Sequence, residues 1–341
     1  MTQSQTQNRR ILLASRPTGW PSTDNFRHVT EAVPEPGPKE VLVRALWLSV
    51  DPYMRGRMSA AKSYAKPVEI GDVMTGGAVG QVVKSNHRAF NPGDIVEGAL
   101  GWQDYAVADA ALLRKIDPKL APIQTAVGVL GMPGMTAYFA TLEVCQPKAG
   151  DTVVVSGAAG AVGQSVGQIA KINGCRAVGI AGGDDKLVYI QRELGFDAVI
   201  NYKTSNDLSK AVAAACPNGV DVYFDNVGGV VSEAVFNNLA FKARIVICGQ
   251  ISQYNLDKPD LGSRNLRYML TNRARMEGFL VFDWRDRYPE ALRRIAGWIK
   301  DGRIKYSEHV TEGLEKTPDA FIAMLKGANL GKALVKVADP A

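Results

Sequence analysis

Glycines 157, 160 and 163 stand three residues apart in the stretch Thr152-Val-Val-Val-Ser-Gly-Ala-Ala-Gly-Ala-Val-Gly163. The β-branched run 153–155 before them has the length of a buried parallel strand. After them Val166, Ile169, Ala170 and Ile172 recur at helical spacing. Glycines on such a strand-to-helix turn let the backbone come close to a pyrophosphate, at a helix N-terminus whose dipole favours negative charge. The chemistry this implies is dinucleotide binding, with Gly157, Ala158, Gly160, Ala161, Val162 and Gly163 forming the phosphate cradle. The spacing departs from the usual Gly-x-Gly-x-x-Gly, so an ordinary glycine turn is the competing reading.

The second strand of such a site chooses the nucleotide. In an NAD site an acidic residue about 20 residues past the glycines holds the ribose 2′-hydroxyl. Here a strand at 175–181 ends in Ala181-Gly182-Gly183, with no carboxylate at its tip. A 2′-phosphate is therefore not repelled, and Lys186 in the next turn is placed to pair with it. Lys186 also reads as a solvated lysine at a helix start, and Asp184 and Asp185 stand beside it. The expected cofactor is NADP(H) rather than NAD(H).

Other chemistries find little material. No Ser/His/Asp set is visible, and the three histidines, His28, His87 and His309, are not near a cysteine. Cys145, Cys175, Cys216 and Cys248 lack Cys-x-x-Cys spacing, which fits a reducing cytoplasm and neither a disulfide framework nor a zinc ribbon. The 341 residues are comfortable for two domains, and 46% hydrophobic with 22% charged residues is ordinary globular composition. The net charge of +6 comes without a Lys/Arg run, so no nucleic-acid partner is expected. The first ten residues carry no signal-peptide core, and no apolar segment is long enough to span a bilayer, so no membrane role is expected.

The elements that must position these residues fall into two textures. Residues 1–8 read as a disordered polar lead. Short strands near 10–14, 26–29, 40–49, 76–83, 90–96, 102–107 and 112–116, separated by Gly/Pro turns, indicate a β-rich first domain. Helices at 126–130 and 136–142 follow, broken by Gly131-Met-Pro-Gly134. Strands at 152–156, 175–181, 197–201, 220–225, 243–248 and 275–281 then alternate with helices near 162–172, 184–194, 206–215 and 230–240. That alternation predicts an α/β fold, a doubly wound parallel Rossmann sheet. An amphipathic helix at 288–301, a helix around 317–327 and a strand at 332–337 follow, and that last strand is expected to return to the first domain. The boundaries are thus 1–125 with 305–341 for the β-rich domain and 126–304 for the nucleotide domain.

The order of parts resembles the medium-chain dehydrogenase/reductase superfamily, which would make the first domain a GroES-like barrel. The stretches Leu48-Ser-Val-Asp-Pro-Tyr-Met-Arg55, Gly131-Met-Pro-Gly-Met-Thr-Ala-Tyr138, Gly157-Ala-Ala-Gly-Ala-Val-Gly163, Asp225-Asn-Val-Gly-Gly229, Ile247-Cys-Gly-Gln-Ile-Ser-Gln-Tyr-Asn255 and Asn329-Leu-Gly-Lys332 resemble its zinc-independent double-bond reductases. These include the prostaglandin and alkenal reductases. Asn8-Arg-Arg10 with Ala14-Ser-Arg-Pro17 draws the chain toward the bacterial NADPH-dependent curcumin reductases. The zinc alcohol dehydrogenases of this fold carry a Cys and a Gly-His-Glu histidine where this chain has Ser49-Val-Asp51 and Gly71-Asp-Val-Met74, so no metal site is expected.

The resemblance implies reduction of an α,β-unsaturated ketone or aldehyde by hydride transfer from NADPH to its β-carbon, without a metal. Charge would then develop on the carbonyl oxygen, and Tyr254 is the implied hydrogen-bond donor, unless it only packs against the cofactor. Tyr53 and Tyr64 would line the substrate cleft or serve as interface aromatics. By the same resemblance Gly182, Lys186 and Tyr202 hold the adenosine 2′-phosphate end, and Asn226 and Asn329 bond the ribose or phosphate region. Cys248, Gly249 and Ile251 flank the cofactor, and the backbone of Phe279, Leu280 and Val281 faces the nicotinamide amide. Cys248 itself reads most simply as a buried strand residue. Loop 256–273 could act as a lid, and a homodimer is the expected assembly. Two rivals stand beside this reading: a quinone oxidoreductase of the same superfamily, and a non-catalytic NADPH-binding protein.

Overall fold

The computed structural model of the chain describes residues 7–263 and 265–341. Residues 1–6 of the expected polar lead, and position 264 in the expected loop, lie outside the described residues. The chain begins with β1 (Gln7–Leu13) and β2 (Phe26–Ala32), paired antiparallel with Leu13 opposite Phe26. Residues 7 and 8 are thus strand rather than disordered lead. Asn8 is 2% exposed; its amide donates to the Tyr105 carbonyl and accepts the Tyr105 N–H, both at 2.9 Å. One polar side chain here imitates a paired peptide, which polarity alone does not announce.

Next come β3 (Glu40–Ser49), α1 (Tyr53–Arg57), β4 (Ala78–Ser85), β5 (Ile95–Gly98), β6 (Tyr105–Asp109) and β7 (Arg114–Lys115). The expected helix 126–130 is instead a 3-10 turn, Ile123–Val127. The Gly131-Met-Pro-Gly134 stretch does not break a helix but starts one, α2 (Met132–Phe139). Pro133 sits in the first turn, where its missing N–H costs nothing. Gly134 lies so close to the Val129 carbonyl that a Cβ would collide with it.

The alternating part follows: β8 (Thr152–Ser156), α3 (Gly163–Ile172), β9 (Arg176–Ala181), α4 (Asp184–Val188), β10 (Ala198–Asn201), α5 (Leu208–Ala215), β11 (Val220–Asp225), α6 (Gly229–Phe236), β12 (Leu239–Ile247), α7 (Leu266–Thr271), β13 (Arg275–Gly278) and α8 (Tyr288–Lys300). Two boundaries move. β12 starts at Leu239, taking residues 239 and 240 from the expected helix, and β13 ends at Gly278 rather than 281. The expected loop 256–273 contains α7. The chain closes with β14 (Glu308–Glu312), α9 (Thr317–Leu325) and β15 (Lys332–Lys336).

The chain divides into two units, one running to Gly128 and resuming at Glu308, the other spanning Val129–Ser307. In the first, a seven-stranded sheet runs β14-β15-β3-β4-β5-β7, with β6 also on β3. All its pairings are antiparallel except β14 with β15. β15 pairs with β3, placing Leu334 opposite Ser49. Trp102, fully buried, stacks on Phe26 at 5.3 Å and meets Phe321 edge-on at 5.7 Å.

In the second unit six parallel strands run β10-β9-β8-β11-β12-β13. Val153–Val155, Val178, Val222 and Phe224 are fully buried, as strands covered on both faces require. The strand order reverses between β8 and β11, the switch point where such sheets bind ligands. Among the described residues no helix is long and apolar enough to cross a membrane.

Candidate active site

The expected cofactor residues of the second unit gather at one edge of its sheet. Gly157 follows β8, Gly182 follows β9, Tyr202 follows β10, Asn226 follows β11, Cys248 follows β12 and Phe279 follows β13. Six positions scattered over the sequence thus share the carboxyl edge of one parallel sheet.

At the switch point the glycine turn is built by close approach. Gly157 has φ +61°, a left-handed conformation that glycine adopts without strain. A Cβ on Gly163 would collide with the Gly157 carbonyl oxygen and stand 2.8 Å from the Ala158 Cα. Helix α3 can therefore start tight against β8 only because residue 163 is glycine. Ala158 ties the turn to β9 by donating its N–H to the Ile180 carbonyl at 3.1 Å. Ala161 and Val162 lead into α3, whose first-turn N–H groups have no partner within the helix. This cradle fits a pyrophosphate.

Past β9 the fit extends to a 2′-phosphate. Gly182 is covered by neighbours: a Cβ there would meet the Tyr202 ring at 2.7 Å and the Lys203 side chain at 2.8 Å. Lys186 lies half-buried on α4 with its pKa lowered, first by burial and then by the positive charge of Lys203, against the pull of Asp185. Lys186, Lys203 and Tyr202 thus surround the end of β9. Asp184 is held aside by the Asn201 amide at 3.0 Å. Lys203 is a residue that motif reasoning passed over, although it adjoins Tyr202.

Asp225 is a second omission. Fully buried at the end of β11, it accepts from the Tyr223 hydroxyl, the Ser156 hydroxyl, the Val227 and Gly228 N–H groups and the Ser232 hydroxyl. Five donors on one carboxylate fix the switch point from both strands. Asn226 beside it donates its amide to the Ser156 carbonyl at 2.8 Å, one residue before the glycine turn. Only the Asp225-Asn226 dipeptide was visible in sequence; its buried donors come from distant segments.

The segment after β12 is laced to the one after β11. Cys248 and Gly249 donate to the Asp225 carbonyl at 2.9 and 3.1 Å, and Ile251 to the Asn226 carbonyl at 3.3 Å. Burial, with the Asp225 charge, pushes the Cys248 thiol up to about 12, so it stays protonated and unreactive. The turn then folds Tyr254 back, and its hydroxyl oxygen accepts the Gln250 N–H at 3.1 Å. A Cβ on Gly249 would stand 3.1 Å from that oxygen, so glycine leaves the hydroxyl room. Phe279 packs against Trp284 with centroids 5.8 Å apart, and Val281 is buried at the start of a 3-10 helix.

The first unit holds the remaining expected residues. Tyr53 opens α1, with its pKa raised well above the usual tyrosine range by burial and then by the charge of Asp51. Tyr64, 59% exposed, is close enough to Tyr53 to act on it, and Arg57 works on both in the opposite direction. Tyr53, Arg57 and Tyr64 therefore form one group. Asn329 is half-buried, and its amide donates to the Gly331 carbonyl at 2.7 Å within its own loop. Ser49 donates to Asp51, whose carboxylate pairs with Lys332 at 3.0 Å. Among the described residues no three His, Cys, Asp or Glu side chains converge as a metal site would require.

Comparison with known proteins matches residues 9–116 to the family described as the N-terminal domain of oxidoreductase and residues 161–297 to the family described as zinc-binding dehydrogenase. The chain is 45% identical to the NADPH-dependent curcumin reductase of Escherichia coli, across 99% of each chain. It is 44% identical to the NADP(+)-dependent 2-alkenal reductase of Nicotiana tabacum, across 97% of each. The crystal structure of CurA from Vibrio vulnificus in complex with NADPH superposes with a TM-score of 0.93 at 46% identity, covering 97% of this chain and all of that one.

Proposed function

The chain belongs to the medium-chain dehydrogenase/reductase family, and from that membership we propose that it is an NADPH-dependent reductase of the carbon–carbon double bond in α,β-unsaturated ketones and aldehydes. The observation that carries this reading is end-to-end likeness, at 45% and 44% identity, to reductases named for a conjugated diketone and for 2-alkenals. The cofactor is NADP(H), which the cations Lys186 and Lys203 around the end of β9 suit.

Bound NADPH supplies a hydride, and in this reaction the acceptor is the β-carbon of the conjugated carbonyl. The chain's own task is to seat the dinucleotide and stabilise the charge that gathers on the carbonyl oxygen. The glycine turn and the N-terminus of α3 hold the pyrophosphate. Tyr254 donates to the carbonyl oxygen: its own oxygen accepts the Gln250 N–H, which leaves its proton for the substrate. Tyr53 and Tyr64 contact the substrate, and Asn226 and Asn329 the cofactor. No metal takes part. The positions of the expected ligands are spent on the Ser49–Asp51–Lys332 bonds and on Met74, which is fully buried.

Two further statements belong to this reading. The protein works in the cytoplasm, where its four free cysteines would stay reduced. It is a homodimer, joined along β13. Among the described residues that strand pairs only with β12, all four of its residues are exposed, and Leu270 of α7 is 80% exposed nearby in sequence.

The test is turnover of a 2-alkenal, a 3-alken-2-one, curcumin and a quinone, followed by NADPH absorbance and repeated with NADH. Turnover of the enones with a preference for NADPH, unchanged after dialysis against a chelator, is the expected result. Turnover of the quinone alone would replace the substrate class. NADPH binding without any turnover would end the reading as an enzyme.

A further inference from the structure

The first unit buries an ammonium group. Lys332, the first residue of β15, is 2% exposed, and its Nζ donates to the Val50 carbonyl at 2.7 Å, to Asp51 Oδ1 at 3.0 Å and to the Ala333 carbonyl at 3.0 Å. Three acceptors fill the three protons an ammonium carries. Such burial is unfavourable unless the charge is both paired and fully hydrogen-bonded. Two of the three acceptors lie not on the lysine's own strand but on consecutive residues of the turn between β3 and α1.

That turn is held from several sides, and Lys332 is their common point. Asp51 is 4% exposed, and its second carboxylate oxygen accepts the Ser49 hydroxyl. The Asp51 carbonyl accepts the Met54 N–H at 3.2 Å, which starts α1, and the Val50 N–H donates to the Ala333 carbonyl at 3.2 Å. Tyr53 is the first residue of α1, two positions beyond Asp51. Glu308 of β14 also favours the ammonium, and its Oε1 is buried without a hydrogen-bond partner.

We propose that Lys332 is a positioning residue: by clamping the Val50–Asp51 turn to β15 it sets the direction in which α1 presents the Tyr53 phenol to the substrate. This rests on the reading of Tyr53 as a substrate contact. The clamp acts through geometry, because a turn held by three bonds at one nitrogen has little freedom to rotate the helix it starts. Its charge acts in the same sense. Asp51 disfavours ionisation of Tyr53, and the ammonium beside Asp51 offsets part of that field.

The experiment is a double-mutant cycle on the holoenzyme. Lys332→Met alone would strand a buried carboxylate, so the clamp is removed as the charge-matched pair Lys332→Met/Asp51→Asn. The expected result is NADPH affinity unchanged and kcat/KM for a 2-alkenal lowered about 10- to 100-fold, the size of loss that a displacement of about 1 Å produces. Tyr53→Phe is expected to lower it comparably, and all three substitutions together no further than either alone. Should the pair not fold, the isosteric Asp51→Asn variant is put through the same cycle with the same expectation of non-additivity. Wild-type rates in the clamp variant beside an impaired Tyr53→Phe, or losses that multiply, overturn the clamp. Wild-type rates in Tyr53→Phe overturn the reading of Tyr53 on which it rests.

Discussion

At the scale of single residues, the chemistry rests on groups whose protonation is held in one state. Cys248, pushed up to about 12, and Tyr53, raised beyond the usual tyrosine range, both stay protonated at neutral pH, because burial disfavours their charged forms. Tyr254 differs from both in having its oxygen engaged by a backbone N–H and its proton left to give. In the Tyr254→Phe variant that donor is lost while the ring remains. A fall in kcat of about 100-fold is expected, with NADPH affinity by fluorescence titration unchanged. A ring that only packs against the cofactor would leave kcat where it was. The glycines and Tyr254 were legible from spacing and resemblance. Lys203 was not, because a lone lysine gains meaning only when the end of β10 brings it to Gly182 and Lys186.

At the scale of elements, the cofactor site is a property of strand ends rather than of any one motif. The turn from β8 into α3 works because Gly163 has no side chain where the Gly157 carbonyl passes. Gly163→Val is therefore expected to lower NADPH affinity by more than about tenfold and to cost about 1–3 kcal/mol of stability from overpacking. Isothermal titration and thermal unfolding measure the two effects; an unchanged affinity would show that the turn is not the cradle. Element types were mostly readable from period and β-branching. The exceptions have local causes. Asn8 pairs like a peptide, Pro133 opens a helix rather than ending one, and residues 239 and 240 follow β12 although helical residues precede them.

At the scale of the whole molecule, the open question is how copies of the chain meet. Met276 on β13 is 48% exposed, and the strand's outer edge offers unpaired peptide groups. Light scattering is expected to give twice the chain mass of 36.7 kDa, and Met276→Asp with Leu270→Asp to return the single-chain mass. A wild-type protein already at the single-chain mass would exclude the dimer. The residues that would form such a contact carry no periodic signature, so the sequence pointed to a dimer only through resemblance.

The sequence by itself determined the class of fold and the place of the nucleotide turn. Both follow from local periodicity and from glycines whose meaning is set by their immediate neighbours. It also determined the absence of an acid at the end of β9, which reads directly from Ala181-Gly182-Gly183. Only the tertiary structure decided which distant residues share a charge. The Asp225 carboxylate draws donors from β8, β11 and α6, and the Lys332 ammonium reaches from β15 to a turn some 280 positions earlier in the chain, 281 to Asp51. Buried charges must be satisfied by whatever the fold brings within about 3 Å, and that set is fixed by strand pairing across the chain, to which no local pattern in the sequence corresponds.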